Sequence, residues 1–171
     1  SGDIYCLFYE RGCVLLKKGG ILTYITSNKW MRQDYGINLR DYFCKLTNPL
    51  MLIDFGETHV FESACVMTNI LVIAHEANKK NLMATLMGDD FCVPTKVKEY
   101  VESHQIQCHF ENSEKWVVIS DETRNIKNKI EQQGVPIKEQ NILINYGIKT
   151  GCDTAYFLTQ EQRDSIINKC S

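Results

Sequence analysis

The sequence predicts an α/β fold in which amphipathic helices feed an open sheet, and three observations carry that prediction. A helical apolar pattern, a short alternating strand and a second helical pattern follow one another between Asp3 and Leu46. Two continuous apolar runs, 50–55 and 65–74, then have the composition of strands buried on both faces. Beyond residue 78 the segments become short and polar, which predicts a small mixed α+β region after the sheet.

Between Asp3 and Lys17, the residues Ile4, Leu7, Phe8, Val14 and Leu15 recur at helical spacing, with Asp3 as cap and Lys17-Lys18-Gly19 as stop. Gly19-Gly20 turns the chain into a strand from Ile21 to Thr26 that runs out onto the polar residues Ser27, Asn28 and Lys29. Lys29 to Tyr35 reads as a turn or short helix, and Ile37 to Leu46 as a helix facing inward through Leu39, Tyr42, Phe43 and Leu46. Asn48-Pro49 breaks that helix, Leu50 to Phe55 forms a strand stopped by Gly56, and the loop 57–63 leads to a strand from Cys65 to Ala74. These two strands are close enough in sequence to pair antiparallel.

The later segments divide into a strand from Leu82 to Leu86, a helix from Thr95 to Ser103, and a strand from Trp116 to Ser120. A helix from Glu122 to Gln133 follows, with Ile126 and Ile130 inward. Short strands at 141–144 and 155–158 precede a helix from Gln160 to Lys169. The composition changes beyond His75, where Glu76 to Asn81 is polar.

A chain of 171 residues with 44% hydrophobic content buries one sizeable core. No apolar run approaches the roughly 20 residues that cross a bilayer, and Ser1-Gly2-Asp3 is not the basic start of a secretory signal, so a soluble, cytoplasmic chain is expected. The net charge of −2 excludes a protein that coats nucleic acid by bulk attraction; any such contact must be local. None of the eight cysteines forms a Cys-x-x-Cys pair, and most sit in apolar patterns, which predicts buried free thiols. Cys108-His109 with His104 matches no zinc spacing, so no metal is expected.

Open α/β sheets bind ligands beyond the carboxyl ends of their strands. Ser27, Asn28, Lys29 and Trp30 are therefore expected at a crevice, although a strand ending in Asn-Lys is also ordinary turn chemistry.

Five blocks in order then resemble one family. They are Asp3-Ile4-Tyr5-x-x-Phe8-x-Glu10-Arg11-Gly12, Leu15-Leu16-Lys17-x-Gly19-Gly20, Thr26-Ser27-Asn28-Lys29-Trp30-Met31-Arg32, Val60-Phe61-Glu62-Ser63-Ala64 and Gly147-Ile148-Lys149-Thr150-Gly151. Across roughly residues 3–75 and 122–165 the chain resembles the adenine amino-methyltransferases of type IIG restriction-modification enzymes. The resemblance implies a partial Rossmann-like methyltransferase sheet made of its late strands, including an antiparallel pair. It implies S-adenosylmethionine as cofactor and double-stranded DNA as partner, with the amino group of a flipped-out adenine attacking the methyl.

The family's Asn/Asp-Pro-Pro-Tyr/Phe loop and its glycine-rich cofactor turn are absent from this sequence, since Gly19-Gly20 precedes a strand instead of opening a helix. Both are expected upstream of Ser1. On that reading 1–78 is the carboxyl half of a methyltransferase domain, 79–140 a connector and 141–171 the start of a target-recognition domain. The chain would hold no catalytic residue of its own and would be inactive alone.

The resemblance also assigns roles. Phe8 is placed against the adenosyl part of the cofactor, where periodicity alone makes it a core residue. Phe61 is placed to stack on the extruded base, where a loop Phe beside Val60 otherwise reads as satellite core. Lys29 and Trp30, with Arg32, are candidates for the target strand's phosphates or the base pocket. Lys149 and Thr150 are candidates to hold a phosphate, although Asp153 and Ala155-Tyr156 stand where the family has Asn and Ala-Phe. Two alternatives remain, a non-catalytic DNA-recognition or assembly module and a small-molecule methyltransferase. A partial sheet also leaves one edge bare, which is expected to bind the remainder of the domain, to self-associate or to be covered by the chain's own tail.

Overall fold

The computed structural model describes residues 2–58, 60, 61, 66–88, 91, 97–143, 145, 147 and 157–170. They fall into two compact units, 1–130 and 131–171. The first contains helix α1 (Tyr5–Leu15), strand β1 (Ile21–Ser27), two 3-10 turns (Asn28–Met31 and Asp34–Gly36), helix α2 (Ile37–Leu46), strands β2 (Asn48–Asp54), β3 (Thr68–Ala74) and β4 (Leu82–Leu86), helix α3 (Val97–His104) and strand β5 (Ile106–Cys108). Helix α4 (Asp121–Gln133) closes it, and the second unit carries a 3-10 turn (Ile137–Glu139) and helix α5 (Gln160–Cys170).

The sheet order is β1-β3-β2-β4-β5. β3 runs antiparallel to both its neighbours, with Tyr24 opposite Leu71 on one side and Leu52 opposite Leu71 on the other. β2 and β4 are parallel, so the carboxyl ends of β1, β2 and β4 gather at one end of the sheet. The expected α/β class and the antiparallel pair are both present, with β3 inserted between the two parallel strands that precede it. On the other edge of β1 no strand pairs among the described residues, and Ile21 and Ile25 are exposed beside it.

Several elements depart from expectation. β2 starts at Asn48, because the ladder shifts between Pro49 and Met51 and a bulge tolerates a residue without an N–H. β3 starts at Thr68; Val66 and Met67 are exposed outside the ladder, and Cys65 lies outside the described residues. Trp116 to Ser120 is not a strand. Trp116 and Val118 are buried there, so alternate burial without a ladder imitated strand periodicity. β5 has only three residues, too few for alternation to register.

Ile126 and Ile130 of α4, expected inward, are exposed. Asn141 to Leu143 form no strand, nor do Phe157 and Leu158; Ile144, Ala155 and Tyr156 lie outside the described residues. The same reversal occurs in α1. Its apolar stripe Ile4, Leu7, Phe8, Val14 and Leu15 is 57–68% exposed, and the helix instead buries Tyr9 and Cys13.

One core cluster gathers Tyr9, Trp30, Phe43, Leu52, Leu71, Ile73 and Trp116, and the second gathers Ile53, Phe55, Met87, Phe91, Tyr100 and Val101. Leu52 and Ile53 are adjacent in β2, so the clusters lie on opposite faces of the sheet. In the first, Trp30 meets Phe43 and Trp116 edge-on, each at 5.2 Å between ring centres, the arrangement that ring quadrupoles favour.

The segment between β1 and α2 is tied down by Arg40. Its guanidinium donates to the carbonyls of Trp30, Gln33 (2.9 Å) and Ser113 (2.8 Å). A Cβ on Gly36 would lie 2.0 Å from the Trp30 carbonyl oxygen and 2.7 Å from Arg40 Nη1. Gly36→Ala is expected to destabilise the protein by about 1–3 kcal/mol, read as a lower urea midpoint, since neither backbone nor guanidinium can retreat without losing these bonds.

Candidate functional site at the carboxyl end of the sheet

Where β1 ends, the Ser27 hydroxyl accepts the Lys29 N–H at 3.3 Å and starts a 3-10 turn. Three residues per turn separate the side chains sharply. Asn28, Trp30 and Met31 go in, whereas Lys29 and Arg32 stay exposed. Trp30 therefore does not face the expected crevice. It is fully buried, with its indole N–H on Asn69 Oδ1 at 3.2 Å and its backbone N–H on the Tyr5 hydroxyl at 3.2 Å.

Beneath Lys29 lies a polar network that periodicity did not reveal. The carboxylate of Asp54, at the end of β2, is wholly buried. Its Oδ1 accepts from Asn28 Nδ2 at 2.8 Å and from the Gly56 N–H at 3.0 Å, and its Oδ2 faces Arg32 Nη2 at 3.4 Å. Gly56 turns at φ +55, a conformation that favours glycine. The one available signal was a single acid inside an otherwise apolar run, between Ile53 and Phe55.

Phe8 lies outside the core. Its exposed ring, with Tyr5, Tyr24, Ile25, Thr26 and Ser27, lines a recess of about 340 Å³ beside the end of β1. Tyr9 supports this wall from behind, its hydroxyl 3.0 Å from Thr26 Oγ1. Burial pushes the Tyr9 phenol up to about 12 and raises that of Tyr5 further, so both stay neutral at physiological pH and serve as hydrogen-bonding groups.

In the loop after β2, Val60 packs against the second cluster while Phe61 is 44% exposed. Phe8, Lys29 and Phe61 thus share one end of the sheet. Lys149 and Thr150 lie outside the described residues. Cys13 and Cys108 are buried, the Cys108 thiol 3.8 Å from the Ile119 carbonyl, and burial pushes the half-buried Cys44 up to about 11. His104 stacks on Tyr100 at 4.1 Å. Among the described residues, no helix is long and apolar enough to cross a membrane.

Residues 1–61 match the family model described as Eco57I restriction-modification methylase. The type II methyltransferase M.PaeR7I of Pseudomonas aeruginosa is 23% identical over 95% of this chain and 30% of its own length. The type II restriction enzyme and methyltransferase RM.Eco57I of Escherichia coli is 29% identical over 90% of this chain and 15% of its own length. The M protein of the type I restriction enzyme EcoKI aligns with a TM-score of 0.47 at 14% identity, over 58% of this chain and 23% of that one. The chain spans less than a third of the length of the two curated relatives. What the comparisons show is therefore a similarity: residues 1–61 resemble the restriction-modification methylases of the Eco57I family model, and the longer alignments run to type II methyltransferases.

Proposed function

We propose that the whole protein is a cytoplasmic DNA adenine methyltransferase that moves a methyl group from S-adenosylmethionine to the amino group of an adenine swung out of the duplex. The observation that carries this reading is an apolar helix residue, Phe8, left exposed in a recess at the carboxyl end of β1. An aromatic ring flanked by Tyr5 and by the hydroxyls of Thr26 and Ser27 suits one face and the sugar edge of an adenosyl group. When bound, S-adenosylmethionine supplies an electrophilic methyl group.

The described residues act on the other reactant by position. Phe61 returns part of the stacking lost on extrusion, and the exposed ammonium of Lys29 meets the target strand's phosphates. With the nucleophile desolvated and aligned, the wall contributes orientation. Residues 141–171, with Lys149 and Thr150, open the DNA-recognition domain, and the unpaired edge of β1 meets the remainder of the methyltransferase domain.

In the full-length protein, Phe61→Ala is expected to slow methylation by roughly 5- to 150-fold, the equivalent of about 1–3 kcal/mol of base stacking, with cofactor affinity nearly intact. Phe8→Ala should do the reverse, weakening S-adenosylmethionine binding by calorimetry. Unchanged turnover in the first variant would return Phe61 to a packing role. Absence of any cofactor binding by the wild type would favour a DNA-recognition module instead.

A further inference from the structure

We propose that the buried pair Asn28–Asp54 is a positioning device that pins both feet of the loop carrying Phe61. The inference rests on reading Phe61 as the base platform. That loop leaves β2 at Gly56 and rejoins the sheet at Met67. At its first foot, the Gly56 N–H donates to Asp54 Oδ1 at 3.0 Å. At its second foot, the Met67 carbonyl accepts the Asn28 N–H at 3.0 Å. One residue joins them, because the side chain of Asn28 also donates to Asp54 Oδ1 at 2.8 Å.

Asn28 thus holds one foot with its backbone and the other with its side chain, and the residue after it is the exposed Lys29. The Asp54 carbonyl accepts the Met87 N–H at 2.8 Å, which ties the clasp to the end of β4 as well. The result is a single junction of the β1 exit, the loop that presents Phe61, and the β4 exit. Both side chains are at least nine-tenths buried. A buried carboxylate is a poor device for stability alone, since apolar replacements of matched shape are often as stable, whereas its three converging donors define a geometry. With both feet fixed and Val60 seated on the second cluster, the clasp sets the base from which Phe61 is presented.

The test uses the full-length enzyme and duplexes carrying 2-aminopurine at the target position, the target being read first from methylated adenines in DNA of the expressing cells. Asn28→Ala and Asp54→Ala are expected to lower kcat at least tenfold and to reduce the 2-aminopurine fluorescence rise, with KM for S-adenosylmethionine within twofold of wild type. Asp54→Asn keeps an oxygen for the Asn28 and Gly56 donors, gives up only the exposed Arg32, and should stay within threefold of wild type in both readouts. Asn28→Ser, still polar but too short to reach Asp54, replaces the alanine variant if that one does not fold.

A wild type that flips and methylates, with folded Asn28→Ala or Asn28→Ser matching it, overturns this inference alone. So does a loss of activity that merely follows the folded fraction, with kcat per folded molecule unchanged. A wild type that neither flips nor methylates overturns the functional reading itself.

Discussion

Trp30→Ala is expected to lower the unfolding free energy by about 3–5 kcal/mol, the range for truncating a large buried aromatic. Trp30 is fully buried against Phe43 and Trp116 and within 6.3 Å of the Tyr9 ring centre, so its removal opens a cavity at the meeting point of α1, α2 and the sheet. It also strips Asn69 Oδ1 of the indole donor. Urea unfolding reads the loss directly as a lower midpoint at unchanged slope. A base-pocket residue would behave differently, losing DNA affinity at nearly constant stability. Trp30→Phe separates the two contributions, since it keeps most of the packing and removes the indole donor, at a cost of about 1–3 kcal/mol.

The second large effect is expected from Arg40→Leu. Arg40 is 2% exposed and its guanidinium serves three carbonyls, those of Trp30, Gln33 and Ser113. An orphaned buried acceptor costs roughly 1–3 kcal/mol; the Trp30 bond is buried while those to Gln33 and Ser113 are partly so, and the three losses together should destabilise by about 2–3 kcal/mol. Burial pulls the Arg40 guanidinium below its ordinary range, but an arginine remains charged throughout the neutral region and loses none of its donors there. Arg40→Lys should rescue little, because an ammonium cannot place donors in the fork that reaches both the Trp30 turn and residue 113. Circular dichroism melts of both variants check the pair of statements; a lysine variant as stable as wild type would contradict the second.

These variants act on the layer beneath the site, whereas Phe8, Lys29 and Phe61 are exposed at its surface. The two groups are therefore expected to separate in the laboratory. Trp30 and Arg40 change how much protein is folded, and Phe8 and Phe61 change what the folded protein binds.

Much of the local structure was legible in the order of residues. The helix Ile37–Leu46 and the strand Leu82–Leu86 coincide with their periodic runs to the residue, and the turn after β1 was marked by the polar exit Ser27-Asn28-Lys29. The motif blocks around Phe8 and Phe61 singled out two aromatic residues that the structure leaves exposed at the same end of the sheet. What failed was the assignment of faces and of the short late strands, since Trp116 to Ser120 and Asn141 to Leu143 form no ladder. Ile4, Leu7, Phe8, Val14, Leu15, Ile126 and Ile130 have helical spacing, and all are exposed.

The chain by itself therefore determined where the helices and the strands β1, β2 and β4 form and where the backbone turns, because propensity, glycine geometry and proline's missing N–H act over a few residues. The tertiary structure alone decided which stripe is covered, that β3 slots between β1 and β2, that Trp30 turns inward, and that Asp54 becomes a buried acceptor. The physical reason is range. The Asn28–Asp54 bond joins residues 26 apart in the chain and the Arg40–Ser113 bond residues 73 apart, and a periodic pattern records that a face is apolar without recording what comes to cover it.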